Sequence, residues 1–166
     1  GLIDYDERMA ILLQKVEGKR RGGYFFPTLA GVGFSRNPFR WNRRIRREDG
    51  FLRLVFGMGT RAVERVANDY VRMVALSHPT LRPEANVTEI RWYSQRYVDV
   101  INVEKNCFCT VPTREVLHED FPGVELLASV DMGDYLAPAQ PVAHAAEDSE
   151  MVLTFDDITR LVTAQR

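Results

Sequence analysis

The stretch Leu29-Ala30-Gly31-Val32-Gly33-Phe34-Ser35-Arg36-Asn37-Pro38 constrains this chain more than any other. It reads as a small-residue turn running into a short strand that stops at an Arg-Asn-Pro corner. Two readings follow from the residues. Glycines separated by one valine let a backbone approach a bulky anionic ligand closely, and Arg36 then supplies a fixed positive charge at the end of the strand. The same pattern also makes a tight start to a hairpin strand with no ligand at all.

The rest of the chain bounds these alternatives. With 166 residues and 45% hydrophobic content it is long enough for a single domain with its own core over residues 1–166. Twenty-two basic residues nearly cancel 23 acidic ones, so net charge makes no case for nucleic acid or a membrane surface as partner. No apolar run approaches the roughly 18 residues of a membrane span, and no basic segment with an apolar core opens the chain, so neither a span nor a signal peptide is expected. Cys107 and Cys109 lack the further ligands of a zinc site and read as reduced core thiols, which points to the cytoplasm.

Taken along the chain, residues 9–18 form an apolar run that suits a buried strand better than a helix. Residues 24–34 read as a hairpin, and residues 51–56 as a strand. Gly57-Met58-Gly59 then opens a helix for which Thr60 is the candidate cap. Beyond it the apolar spacing allows either one helix over residues 61–76 or a short helix, a turn at Asn68-Asp69 and a strand over residues 70–76. Residues 78–86 read as a loop. Residues 87–92, 97–103 and 107–111 look like short strands, the last two joined at Glu104-Lys105-Asn106 and forming a half-exposed sheet interrupted by Asp99 and Asn102. One helical turn is expected over residues 113–118. Residues 124–130 are a further apolar run, and residues 137–150 read as a mobile connector. Thr154-Phe155-Asp156-Asp157 should cap a last helix. The chain stops at Arg166 within that helical pattern, which suggests a piece cut from a longer protein.

Between residues 36 and 47 lie six arginines with Phe39 and Trp41 interleaved. Such a mixture can hold RNA by stacking and phosphate contact, but an arginine-rich exposed segment is more often a solvated face or a subunit contact.

Three segments in order resemble the ATP-binding domain of phosphoenolpyruvate synthase and pyruvate phosphate dikinase, within the ATP-grasp superfamily. Leu13-Gln14-Lys15-Val16-Glu17 is similar to the family's Gln-containing strand and adenine hinge, residues 30–38 to its phosphate-loop strand, and Leu54-Val55-Phe56-Gly57-Met58-Gly59 with Ala62-Val63 to its strand, Gly-Leu-Gly turn and short helix. The resemblance covers residues 9–76. It implies an α+β fold, mainly antiparallel sheet with a few short helices, like an ATP-grasp C-terminal subdomain, and it favours a strand over residues 70–76. It also implies ATP and Mg²⁺ as ligands, and as partners the remaining ATP-grasp and phosphohistidine-type domains of a longer phosphotransferase. Its site residues here are Gln14, with Val16 and Glu17 at adenine, Ala30 and Gly31 under the phosphates, and Arg36 on the phosphate chain.

The departures matter too. Thr60 and Arg61 stand where the family has an acid, and its metal-binding Asp-x-Glu and later Gln-x-Arg segments are absent. The piece alone is therefore not expected to catalyse. The competing expectation is a degenerate ATP-grasp module for assembly, or an RNA contact through residues 36–47. His78, His118 and His144 read as ordinary loop histidines.

Overall fold

The computed structural model describes residues 9–64, 69–118, 120–140 and 150–157. These form an α+β fold of three antiparallel sheets with a few short helices. The first sheet has the order β1(Lys19–Arg21), β2(Tyr24–Phe26), β6(Tyr97–Asn102), β7(Cys107–Pro112). The second runs β3(Ala30–Phe34), β4(Phe51–Val55), β5(Arg72–Ala75), and the third β10(Met151–Leu153), β8(Ala128–Asp131), β9(Leu136–Pro138). The helices are α1(Thr60–Val63), α2(Val87–Trp92) and α3(Val124–Leu127), with single 3-10 turns at Arg47–Asp49 and Thr113–Glu115.

The core lies where the sheets meet. Phe56, just beyond β4, packs edge-on against Phe26 of β2 and Phe121, at ring separations of 5.5 and 5.3 Å. Val98 and Val100 of β6, Leu127 before β8, and Leu153 and Phe155 at the end of β10 continue the same cluster. Leu54 and Val74 bring the inner face of the second sheet onto it. Edge-to-face rings add to the burial of apolar area that dominates such a core.

Several elements differ from the sequence reading. Residues 9–17 form neither strand nor helix, with Met9, Ile11 and Leu13 at 96%, 86% and 89% exposure. Apolar content makes a strand only beside a hydrogen-bonding neighbour, and no described strand lies against them. The expected hairpin over residues 24–34 does not form. Gly22, at φ 58°, turns β1 into β2, and β2 then pairs with β6, while β3 pairs with β4. Residues 87–92 are helix instead of strand because Asn86 Oδ1 accepts from Glu89 N at 2.9 Å while Glu89 Oε2 accepts from Ala85 N at 2.7 Å. This reciprocal cap outweighs the β-branched residues at positions 87 and 88.

Cys107 is exposed and Cys109 half-buried, because β7 is the outer strand of its sheet. Residues 124–130 split into α3 and β8, and residues 136–138 form β9. The strands over residues 51–56, 70–76, 97–103 and 107–111, and the turn at 113–118, appear within a few residues of their expected bounds. Thr154 and Phe155 are buried after β10 and Asp156 and Asp157 form a turn; residues 158–166 of the expected last helix, most of the connector and His144 lie outside the described residues. His78 is half-buried and His118 exposed.

Candidate functional site

The second sheet has two unlike faces. Gly31, Leu54 and Arg72 are cross-strand partners, as are Gly33, Leu52 and Val74. On this inner face the missing side chains make room for leucines. A Cβ on Gly31 would lie 2.5 Å from Arg53 O and 2.7 Å from Leu54 Cδ2, and one on Gly33 would lie 3.3 Å from Leu52 Cδ2. Val32, Arg53 and Met73 share the opposite face with Phe34, Phe51 and Ala75.

The turn after β4 is bolted to the first sheet. Gly57 has φ 90°, and Met58 N donates to Asp99 O at 3.0 Å. Gly59, not Thr60, occupies the position before α1, so Thr60 is not the cap. Its hydroxyl donates to Asp99 Oδ2 at 2.6 Å, while Asp99 Oδ1 accepts from Arg61 Nε at 2.9 Å and from Thr110 Oγ1 at 2.6 Å. Arg61 also pairs with Asp69, whose other oxygen accepts from Arg96 N at 2.8 Å. Arg61 is 8% exposed and Asp99 6%, so neither is solvated, and Asp99 does not face water as a half-exposed sheet would have it. Burial works to raise the Asp99 carboxyl, but the hydrogen bonds from Thr110, Thr60 and Arg61 outweigh it and hold the group below the usual carboxylate range.

Gln95 makes a second tie between the sheets. Its Oε1 accepts from Phe56 N at 2.9 Å, and its Nε2 donates to Phe56 O and Tyr97 O, both at 2.8 Å. The side chain thus stands in for a strand neighbour where β4 ends. Gln95→Leu strands these buried backbone groups and should cost about 2 kcal/mol, read as a lower urea midpoint with an unchanged slope.

A cavity of about 970 Å³ opens over the outer face of the sheet. Its apolar wall comes from Phe34, Phe39 and Phe51. Phe34 stacks on Phe51 at 4.7 Å with the rings 12° apart, and Phe39 meets Phe51 edge-on at 5.9 Å. Its polar wall comes from Arg36, Arg47, Arg53 and Arg61 against Glu64 and Asp69. Among the described residues, no group of three or more His, Cys, Asp or Glu side chains converges to hold a metal ion.

Of the expected site residues, Arg36 lines this cavity. Ala30 opens β3 opposite Val55, within 3.5 Å of where a Cβ on Gly59 would lie, and Gly31 follows it opposite Leu54. Gln14, Val16 and Glu17 lie in the exposed lead-in, where Glu17 pairs with Lys15 at 2.9 Å, and none of the three lines the cavity. Asp99, Thr110, Asp69 and Gln95 were not candidates. The one signal in the sequence was an aspartate inside the apolar run 97–103, which alternation alone assigns to the water side.

Comparison with protein-family models matches residues 1–132 to the AMP/ATP-binding domain of pyruvate phosphate dikinase. No curated protein and no solved structure matches the chain. The matched region spans most of the 166 residues and takes in the glycine strand, the Gly-Met-Gly turn and the Arg61–Asp99 tie, and on that extent the chain belongs to the pyruvate phosphate dikinase AMP/ATP-binding domain family.

Proposed function

We propose that this chain forms one side of the ATP site in a phosphotransferase like pyruvate phosphate dikinase or phosphoenolpyruvate synthase, built as an ATP-grasp subdomain, and that it does not catalyse alone. The observation that carries this reading is the packing of Ala30, at the start of the glycine strand, against the Gly57–Gly59 turn, with Arg36 reaching the cavity beyond. In the complete site, the backbone at Val16 and Glu17, with Gln14 before them, takes adenine. Ala30 and Gly31 lie under the phosphates and Arg36 contacts them. Phosphoryl transfer depends on positioning and charge neutralisation, and the remaining domains of the protein supply what this chain does not. On this reading Mg²⁺ accompanies ATP in the complete site.

Calorimetric titration of Mg-ATP on this chain and on the longer protein tests the proposal. The chain alone should bind with a Kd weaker than about 1 mM and the longer protein at least about tenfold tighter. Equal affinities would overturn the half-site.

A second reading, a non-catalytic assembly module, draws on Arg61. The cation standing in place of the family's acid is engaged by Asp99 and Asp69 within the chain and is not left for a ligand. Absence of any ATP-dependent phosphoryl transfer by the longer protein would favour it. The exposed Arg40, Arg43 and Arg44 lie outside the cavity wall and leave RNA contact as a further alternative, which a salt-independent filter-binding result would exclude.

A further inference from the structure

We propose that β7 is a self-association edge, at which two copies of this chain pair their β7 strands antiparallel about a two-fold axis at Cys109 and so join two four-stranded sheets into one. None of the residues involved lines the cavity over the second sheet.

Backbone chemistry points to a strand as the partner. β7 runs six residues, Cys107–Pro112, and its one strand neighbour is β6. Among the described residues, no backbone hydrogen bond ties residues 107–112 to any other element. Along the outer side of β7, alternate N–H and C=O groups therefore point away from the sheet, as a template for another strand. Sheet edges are commonly blunted by charge, and the opposite edge of this sheet is: Lys19 and Arg20 of β1 are exposed there. β7 carries no charged residue, and it exposes Thr110 and, at 54%, Phe108. The other uncharged edges are the three-residue strands β9 and β10, and β3, which Gly31 and Gly33 weaken as a pairing partner.

Charge complementarity selects a second copy as that strand. Opposing residues in a ladder share a sheet face, so a two-fold axis normal to the sheet passes through a residue and not between two. An axis at Cys109 sets Phe108 opposite Thr110 of the second copy and Cys107 opposite its Val111, and it leaves Pro112, which has no N–H to donate, just outside the ladder. The ends then match. Glu104, in the turn before β7, comes beside Arg114 of the second copy, in the 3-10 turn after β7, and symmetry repeats the pair. Both side chains are exposed, and neither has an ion-pair partner among the described residues. A ladder of five residues from each copy, 107–111, is a small interface, so the dimer should be weak, with Kd about 10–100 µM.

Sedimentation equilibrium of the chain between about 5 and 500 µM, with amide hydrogen exchange at both ends of that range, tests the pairing. A dimer should form as concentration rises, and amides within residues 107–111 should gain protection with it. Phe108→Lys places a charge on the edge of each copy and should weaken the dimer about tenfold. Arg114→Glu should weaken it about threefold, and Glu104→Arg/Arg114→Glu, which exchanges the charges on both copies, should restore it. That restoration separates pairing of copies from a general loss of structure in either variant. A monomer throughout the range overturns the proposal, as does a dimer whose concentration-dependent protection falls on another element. Parent-like dimerisation by Phe108→Lys overturns it, and so does failure of the exchanged charges to restore what Arg114→Glu removes. In the longer protein, a monomer with residues 107–111 protected at every concentration would place one of its own domains on this edge and overturn pairing of copies. Each of these outcomes leaves the comparison of ATP affinities in the chain and the longer protein untouched.

Discussion

Gly57→Ala should lower the stability of the chain by about 2–5 kcal/mol, enough to unfold much of the population of a domain whose total stability is about 5–15 kcal/mol. Two costs coincide at this position. The backbone sits at φ 90°, where any L side chain is strained. The added methyl would also fall inside the envelope of Val98 Cγ2 and 3.0 Å from Asp99 O. Val98 is fully buried in the core, so it cannot swing aside, and pushing β6 away would break the Met58 N to Asp99 O hydrogen bond. Urea unfolding followed by circular dichroism reads the loss directly. A midpoint unchanged from the parent would mean that the turn does not press on β6 as described. Gly22→Ala is the contrast, since that glycine has positive φ but no atom within 4 Å of its Cβ position, so only the backbone strain of about 1–2 kcal/mol remains.

Asp99→Ala should cost about 3–5 kcal/mol, because a buried cation and two hydroxyls lose their common acceptor. Arg61 keeps Asp69, but its Nε–H is left without a partner at a position water does not reach. The Asp99 carboxyl is held below its unfolded value of about 4, so its contribution is fully present above pH ~4 and is lost as pH falls through the lower folded value. Asp99→Asn removes that titration. Its stability should therefore vary less between pH ~2 and ~4 than that of the parent, measured as the urea midpoint at each pH. An equally steep acid limb in the variant would show that another carboxylate carries the effect.

Much of the sheet structure was legible because its signals are local. The run 97–103, the tight turn at Glu104-Lys105-Asn106 and the run 107–111 specify their hairpin through alternation and a turn in which Asn106 takes φ 48°. The strand Arg72–Ala75 was legible because the turn signal before it and its β-forming residues agree with the family pattern. What escaped depended on partners distant in sequence. Residues 9–17 have the composition of a buried strand and, among the described residues, no neighbouring strand to complete one. One exception is local: the β-branched residues 87 and 88 lost to a cap made by Asn86 and Glu89 on either side of them. The aromatic pair Tyr24 and Phe25 chose β6, more than seventy residues away, over the glycine strand close by.

The candidate site divides the same way. Glycines, the Arg-Asn-Pro corner and the Gly-Met-Gly turn identify the family from sequence alone, since spacing and residue type are local quantities. The folded chain decided what each of these does. Gly31 and Gly33 make room for Leu54 and Leu52 on the inner face, and Arg36 joins Arg47 and Arg53 only because Asn37 folds the corner back. Thr60 and Arg61, which interrupt the family pattern, find their carboxylate on a strand almost forty residues later. Burial and charge pairing depend on distances in space, so the acceptor for that cation and the cavity beside it emerge only when the sheets come together.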